Sequence, residues 1–408
     1  MTIAFDRLPR NDHPGFDGAI PGHPHILHVA TRYLHGGSER RLRDIVAAVP
    51  EAEHDLIVGR DSDAQLATDE VGPARLTVLP ALVRDPNPPR DLVALRRLRA
   101  AMAQGRYDLV VSHQSKAGVL ARIAAGRLGV PVAHSLSMAN FGPGYGRAQS
   151  ALFRRIETRL VDRTSAYMVV GADLARRFTE IGVPAERLHV VRSGVTLPAA
   201  SDRAAARAEV CRSLGLPEDR PLIVYLGSLE ERKNVLDLPR LLAQVLSSET
   251  TRPFLVVAGE GPLAGRLQEA IDARGLTGDA RLVGYVRGPG ALVRAAGVVV
   301  LLSSAEGVPQ VLVQAAAART PFVSYAVDGV RELMDLGAEG VAVPLGDLPA
   351  AAVATAALLE GGHRGPRADI DFTPWTADAI RAGYRRVIGD VLAATAPSER
   401  PSLEAVRT

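Results

Sequence analysis

Between residues 26 and 192, short aliphatic and β-branched runs alternate with stretches of helical period: ILHVA (26–30), DLIVG (55–59), LTVLP (76–80), DLVVS (108–112), PVAH (131–134), AYMVV (166–170) and LHVVR (188–192). After a proline- and charge-rich break, LPAASDRAAARAEVCRSLGLPEDRP, the same alternation resumes with LIVYLG (222–227), FLVVAG (254–259), RLVGYV (281–286), VVVLLS (298–303), PFVSY (321–325) and VAVPL (341–345). Strands that are apolar on both faces belong in parallel sheets covered by helices on each side. Between two such strands, Leu42, Ile45, Val46 and Val49 repeat at i, i+3, i+4 and i+7 and predict one apolar helical face. The chain therefore reads as α/β, with two doubly wound domains in tandem and the ligand site where strand C-termini face each other across a cleft. The expected divisions are a flexible lead-in over 1–24, a first domain over 25–196, a linker over 197–220, a second domain over 221–371, a helix over 372–394 and a disordered tail over 395–408.

Composition excludes several function classes. With 408 residues, 47% hydrophobic, the chain can bury large cores, and its net charge of +3 with 4% aromatic residues provides neither a basic surface nor stacking platforms for nucleic acid. One cysteine, Cys211, excludes an internal disulfide framework and a cysteine-based zinc site and fits a cytoplasmic setting. No apolar run is long enough for a membrane span, and the N-terminus lacks the pattern of a signal peptide, although peripheral membrane contact stays open.

Local motifs fall at the strand ends. GGSE (Gly36, Gly37, Ser38, Glu39) follows the first strand and opens a helix, so its backbone amides can face an anion. AGEGPL, with Gly259 and Glu260, repeats this logic in the second half. In SSAEGVPQVLVQ, Glu306 precedes Gly307, Val308 and Pro309, and proline at a helix start pre-sets the first turn while leaving neighbouring amides free. Lysine stands at only two positions, Lys116 in SKAG and Lys233 in LGSLEERKNV, among 48 basic residues. A compact ammonium is most useful where a ligand carries phosphates.

Taken in order, GGSE, SKAG, G-x-L-x-x-x-K, G-E-G-P, E-G-x-P followed by A-x-x-x-x-P-F-V, and DGVRELM resemble the large family of retaining GT-B glycosyltransferases that use nucleotide-sugar donors. The resemblance covers about residues 26–390. It implies a Rossmann-like N-domain that holds the acceptor, a Rossmann-like C-domain that holds the donor, and a last helix that crosses back onto the N-domain. It implies Lys233 at the donor diphosphate and Glu306, the first acid of an E-x7-E motif, beside the donor sugar. Gly36, Gly37, Ser228, Arg232, Gly259, Glu260, Val286, Gly307, Val308, Pro309 and Gln314 fall at donor-binding positions. His113, Lys116, Ser137 and Asn140 fall at acceptor-binding ones.

Three positions depart from the family pattern. The second acid is Gln314, the usual arginine of G-R-L is Ser228 with Arg232 as its candidate substitute, and the position best matched to the family's histidine near the reacting sugar is Ser137. His134 and His113 are the candidates for that histidine's role. Two other features are set aside: the acidic triplet DSD (61–63), which looks like a metal motif of the other glycosyltransferase architecture, and His23, His25 and His28 of GHPHILH, read as a solvated run. The expected reaction moves a sugar with retention, needs no cofactor and no metal, and uses fixed cations to stabilise the departing diphosphate. A sugar-nucleotide 2-epimerase of the same architecture and a degenerate, non-catalytic binder are the alternatives. The arginine- and alanine-rich, lysine-poor composition, together with the long glycine-rich loop 137–149, points towards a bacterial enzyme of specialised-metabolite, for instance antibiotic, or cell-surface glycan synthesis. Donor sugar, base, acceptor and oligomeric state stay open.

Overall fold

The computed structural model describes residues 20, 22–34, 37–197, 202–247, 251–361 and 369–395. Most of the expected lead-in, almost all of the expected tail and the candidate Gly36 lie outside them. The first sheet contains β1 (His25–Ala30), β2 (Glu53–Gly59), β3 (Arg75–Leu79), β4 (Leu109–His113), β5 (Val132–Leu136), β6 (Ala166–Val169) and β7 (Leu188–Val190), in the spatial order β3-β2-β1-β4-β5-β6-β7. The second contains β8 (Leu222–Leu226), β9 (Phe254–Ala258), β10 (Ala280–Gly284), β11 (Val298–Leu301), β12 (Phe322–Tyr325) and β13 (Gly340–Val343), in the order β10-β9-β8-β11-β12-β13. Every pair is parallel. The order reverses between β1 and β4 and between β8 and β11, and these switch points open the crevices where doubly wound folds hold ligands.

The edge strands are less covered than a buried reading requires. β3 exposes three of its five residues, and β10 has one exposed and three half-buried, because an edge strand lacks one neighbour and part of its helical cover. The stretch 197–220 is also more than a linker. Its helix, Arg203–Leu214, has an aspartate N-cap, Asp202, and buries Val210 and Cys211 in the core of the second domain.

On the helix Gly37–Ala48, Leu42 and Ile45 are buried as the periodicity requires, Val46 is partly covered, and Val49 is buried just beyond the helix end. They are covered in part by the last helix, Ala377–Thr395, whose Ile380, Tyr384, Val387 and Ile388 pack with Ile45, Val49, Leu109 and Val111. Each such side chain contributes roughly 1.5–3 kcal/mol relative to exposure. The C-terminal segment is thus part of the first domain's core, and Arg385 pins it further by a 2.6 Å ion pair to Glu51. Among the described residues no helix is long and apolar enough to cross a membrane.

Candidate active site

The second domain builds its site by stitching two strand ends together. Beyond β8, Gly227 N–H donates to Ala258 O at 3.0 Å and Leu229 N–H to Glu260 O at 2.8 Å, so the loop after β9 lies directly on the loop after β8. A side chain at 259 is impossible there: a Cβ on Gly259, whose φ is +145°, would stand 1.9 Å from Gly227 O. Next comes the single turn Glu231–Lys233, ended by Asn234 in a left-handed conformation with φ 49°. Asn234 donates its side-chain N–H to Leu302 O at 2.8 Å, and Ser304 N–H donates to Arg232 O at 2.8 Å, which ties this turn to the residues just after β11.

The stitching brings residues 73 positions apart into contact. Lys233 Nζ lies 2.5 Å from Glu306 Oε1, and Arg232 lies 3.2 Å from the same oxygen. Arg232 also pairs with Glu230 at 3.0 Å and donates to Ala305 O at 2.7 Å. Burial on its own would raise the Glu306 carboxyl, but the charges of Lys233 and Arg232 outweigh it and hold Glu306 below the usual carboxylate range. The Ser228 hydroxyl donates to Glu230 at 3.0 Å, so Ser228 supports the anion beside Arg232 and adds no cation. Gly307, Val308 and Pro309 lead into the helix Gln310–Ala317, and among the described residues no carbonyl accepts from the amides of Gly307 or Val308. Val286, just after β10, is half-buried against the second domain's core. Gln314 sits on that helix, and its amide Nε2 donates to Thr196 O of the interdomain connection at 3.1 Å.

The first domain closes over these residues. A Cβ on Gly307 would stand 1.9 Å from Ser137 O, and one on Gly144 would stand 1.9 Å from Ser304 O, so glycine on each side allows the two backbones to touch. A Cβ on Gly37, at the first helix's start, would stand 3.5 Å from Gln310 Nε2. Arg177 and Asp328 pair at 2.5 Å across the interface, Asp173 accepts from Gly329 N–H at 2.9 Å, and Arg192 pairs with Glu332. What remains between the domains near Glu306 is a narrow crevice lined by Pro143, Tyr145, Arg177, Ala305, Glu306 and Asp328. Asn140 lies in the same glycine-rich loop, half-buried. Tyr145, Arg177 and Asp328 were missed in the sequence as site residues. DGVRELM carries both Asp328 and Glu332, and their cross-domain partners were the missing information.

Three candidates in the first domain are placed differently from expectation. His134 is fully buried between Ser112, whose hydroxyl is 2.8 Å from its Nδ1, and Gly118, where an added Cβ would be 2.3 Å from its Cε1. Burial and the nearby Arg122 push it well below the usual imidazole range, so it is a neutral packing residue and not a group in the cleft. Lys116 gives its ammonium to Asp91 at 2.5 Å and to the Asp85 carbonyl, and so holds a loop and helix of its own domain. His113 is 3% exposed and begins a chain of imidazoles: its Nε2 is 3.1 Å from His28 Nδ1, His28 Nε2 is 3.0 Å from His54 Nδ1, and His54 Nε2 donates to Val49 O at 2.9 Å. Because a carbonyl only accepts, it fixes every tautomer along this chain. Burial, with Arg41 nearby, lowers His113 to about 3.

The histidines of GHPHILH are likewise not a solvated run: His28 is fully buried and His25 half-buried, and only His23 is exposed. In the acidic triplet, Asp63 caps the helix Ala64–Val71 by accepting from Leu66 N–H at 2.9 Å.

Comparison with known proteins matches both halves. Residues 36–194 match the glycosyl transferase 4-like domain and residues 207–369 match glycosyl transferases group 1. The chain is 28% identical over 324 residues to EpsF of Bacillus subtilis (strain 168), which carries a glycosyltransferase name, covering 76% of this chain and 81% of that protein. It is 33% identical over 318 residues to a D-inositol 3-phosphate glycosyltransferase of Xylanimonas cellulosilytica, covering 73% and 72%. Among solved structures, Anabaena HepE in complex with UDP and glucose superimposes with a TM-score of 0.64 at 18% identity, over 91% of this chain and 98% of that one.

Proposed function

Because the chain belongs to the glycosyl transferases group 1 family and has the GT-B fold, we propose that it is a retaining enzyme that moves a sugar from a nucleoside-diphosphate sugar to a small-molecule or glycan acceptor, in the cytoplasm and without a metal in the cleft. The observation that carries this reading is the cluster of Lys233, Arg232 and Glu306 at the adjoining ends of β8 and β11, beside the free amides of Gly307 and Val308. As the bond from the anomeric carbon to the diphosphate breaks, negative charge grows on the departing phosphate. Lys233 and Arg232 would neutralise it, and fixed donors of this kind are worth most where water is excluded. Glu306 holds both cations in position by its ion pairs, so they require little rearrangement when a phosphate arrives.

The acceptor is to be held by the glycine-rich loop from Ser137 to Gly146, which faces Glu306 across the crevice. Attack from the side of the leaving group would retain the anomeric configuration. His134 has no part in this scheme, and Lys116 acts within its own domain. Specialised-metabolite or cell-surface glycan synthesis is the setting that the composition and this loop favour. The test is a thermal-shift screen against nucleoside diphosphates, followed by proton NMR of the product formed from the best donor. Stabilisation by one nucleoside diphosphate and an unchanged anomeric configuration are expected; no stabilisation by any of them, or inversion, would overturn the proposal.

A further inference from the structure

At the end of the first sheet opposite the cleft, a second group of chemistry-bearing residues converges. His25 opens β1, and its register partner on β2 is Glu53, two residues before Asp55. His25 Nε2 and one carboxylate oxygen from each acid all lie within 4.8 Å of one another. One side of the His25 ring is set from outside: its Nδ1 is 3.1 Å from Gly105 O, which only accepts, so Nδ1 carries a hydrogen and Nε2, when unprotonated, presents a lone pair. That lone pair is 3.2 Å from Asp55 Oδ2 and 4.0 Å from Glu53 Oε1, is shielded from solvent, and takes part in no hydrogen bond. Asp55 is 3% exposed; its Oδ2 accepts from the Tyr107 hydroxyl at 2.6 Å while its Oδ1 is buried without a partner.

A proton on Nε2 would turn the group into a plain imidazolium–carboxylate pair, but such a pair needs the N–H aligned on the oxygen, and the alignment is missing. Arg75, the register partner of Asp55 on β3, is exposed and makes no ion pair with the cluster among the described residues. Two buried acceptor atoms without partners, His25 Nε2 and Asp55 Oδ1, beside the exposed Glu53 carboxylate and with the Tyr107 hydroxyl as the one donor into the group among the described residues, make up the donor set of a cation. We propose that His25, Glu53 and Asp55 bind a borderline divalent cation of the zinc class, with water completing the coordination. One imidazole and two carboxylates suit such an ion. Bonds of about 2.0–2.1 Å in a tetrahedron put ligand atoms about 3.4 Å apart, between the two separations found here. The carbonyl behind His25 and the hydroxyl behind Asp55 are the outer contacts that orient metal ligands. The site lies at strand N-termini, so its role is to clamp β1 to β2 and not to take part in transfer.

The test uses tag-free, full-length protein stripped with chelator and desalted, then titrated with zinc chloride and followed by calorimetry, metal analysis after gel filtration, and thermal denaturation. One retained equivalent and a raised melting temperature are expected. Asp55→Asn keeps the Tyr107 hydrogen bond yet should lose retained zinc, and Glu53→Gln should weaken binding at least tenfold. Tyr107→Phe should weaken it by roughly tenfold, as loss of an outer contact does. Glu53 has a side chain 61% exposed, so Glu53→Gln carries the test if another variant fails to fold. No retained zinc with an unmoved melting temperature, equal zinc in Glu53→Gln and parent, or a doubly protonated His25 ring by NMR at pH 7.5 in the presence of zinc would overturn the proposal.

Discussion

Lys233 and Glu306, 73 positions apart in the chain, share a 2.5 Å ion pair at the mouth of the second domain. Neither is spare: the lysine is the cation proposed for the diphosphate, and the acid is the group that holds it ready. Lys233→Ala should therefore weaken nucleoside diphosphate binding by roughly 1.5–3 kcal/mol, the range for a hydrogen bond to a charged group, and lower turnover further because charge grows in the transition state. Isothermal titration and steady-state rates measure the two effects. Lys116→Ala, which breaks the Asp91 pair, should lower stability and leave nucleotide affinity alone; equal binding losses in both variants would refute the division of labour.

Gln314 donates to Thr196 O, so a carboxylate there would face a carbonyl with two acceptors and no hydrogen between them. Gln314→Glu should lose about 1–3 kcal/mol of stability, the cost of an unsatisfied buried group. The amide oxygen is left for a ribose hydroxyl, and Gln314→Leu should cost about 1 kcal/mol in nucleotide binding. A Gln314→Glu protein that melts with the parent and binds the nucleotide more tightly would show that the Thr196 contact is not what holds this side chain.

Arg122 and Glu157 form a two-pronged pair at 2.8 Å, with the arginine side chain 0% exposed. Removing one partner strands a buried charge. Glu157→Leu should cost about 3–5 kcal/mol in denaturant unfolding, whereas Arg122→Met/Glu157→Leu should recover much of the loss. A double variant as unstable as the single one would mean that the pair is worth more than the desolvation it requires.

Asp328, half-buried at the domain interface and near Asp173, is pushed up to about 6 despite its partner Arg177. Burial is the larger cause. A carboxyl that holds its proton more tightly in the folded state contributes stability that is complete below about pH 4 and is lost as pH rises through 6, by at most about 3 kcal/mol for two units. Glu306, lowered by Lys233 and Arg232, has the opposite slope at lower pH. The melting-temperature difference between parent and Asp328→Asn should thus fall from pH 4 to pH 7 and then level off; a difference independent of pH would place the Asp328 charge in solvent.

Turnover at 25 °C should survive excess EDTA, since Lys233 and Arg232 are the cations offered to the phosphates. EDTA can still lower the melting temperature through the His25 cluster without touching the rate. A rate abolished by EDTA and restored by magnesium or manganese would put a metal in the cleft.

The two parallel sheets were legible from the chain alone because strands covered on both faces are mostly apolar, and thirteen predominantly apolar runs fell in two groups with helical spacers between them. The strand-end positions of Gly259, Gly307 and Lys233 were legible as well, and at both glycines another backbone passes where a side chain would stand. What a side chain faces is a matter of distant partners, and no local pattern records it. His134 and His113 look alike in the chain, each near a strand end, yet the former is packed against Gly118 and the latter is wired through His28 to His54. Lys116 is claimed by Asp91, Gln314 by Thr196, and His25 by a pair of acids on the neighbouring strand. Periodicity reports burial because burial repeats with the backbone; pairings across 22 to 334 residues are settled only when the sheets close and each polar group must find a partner or lose its hydration.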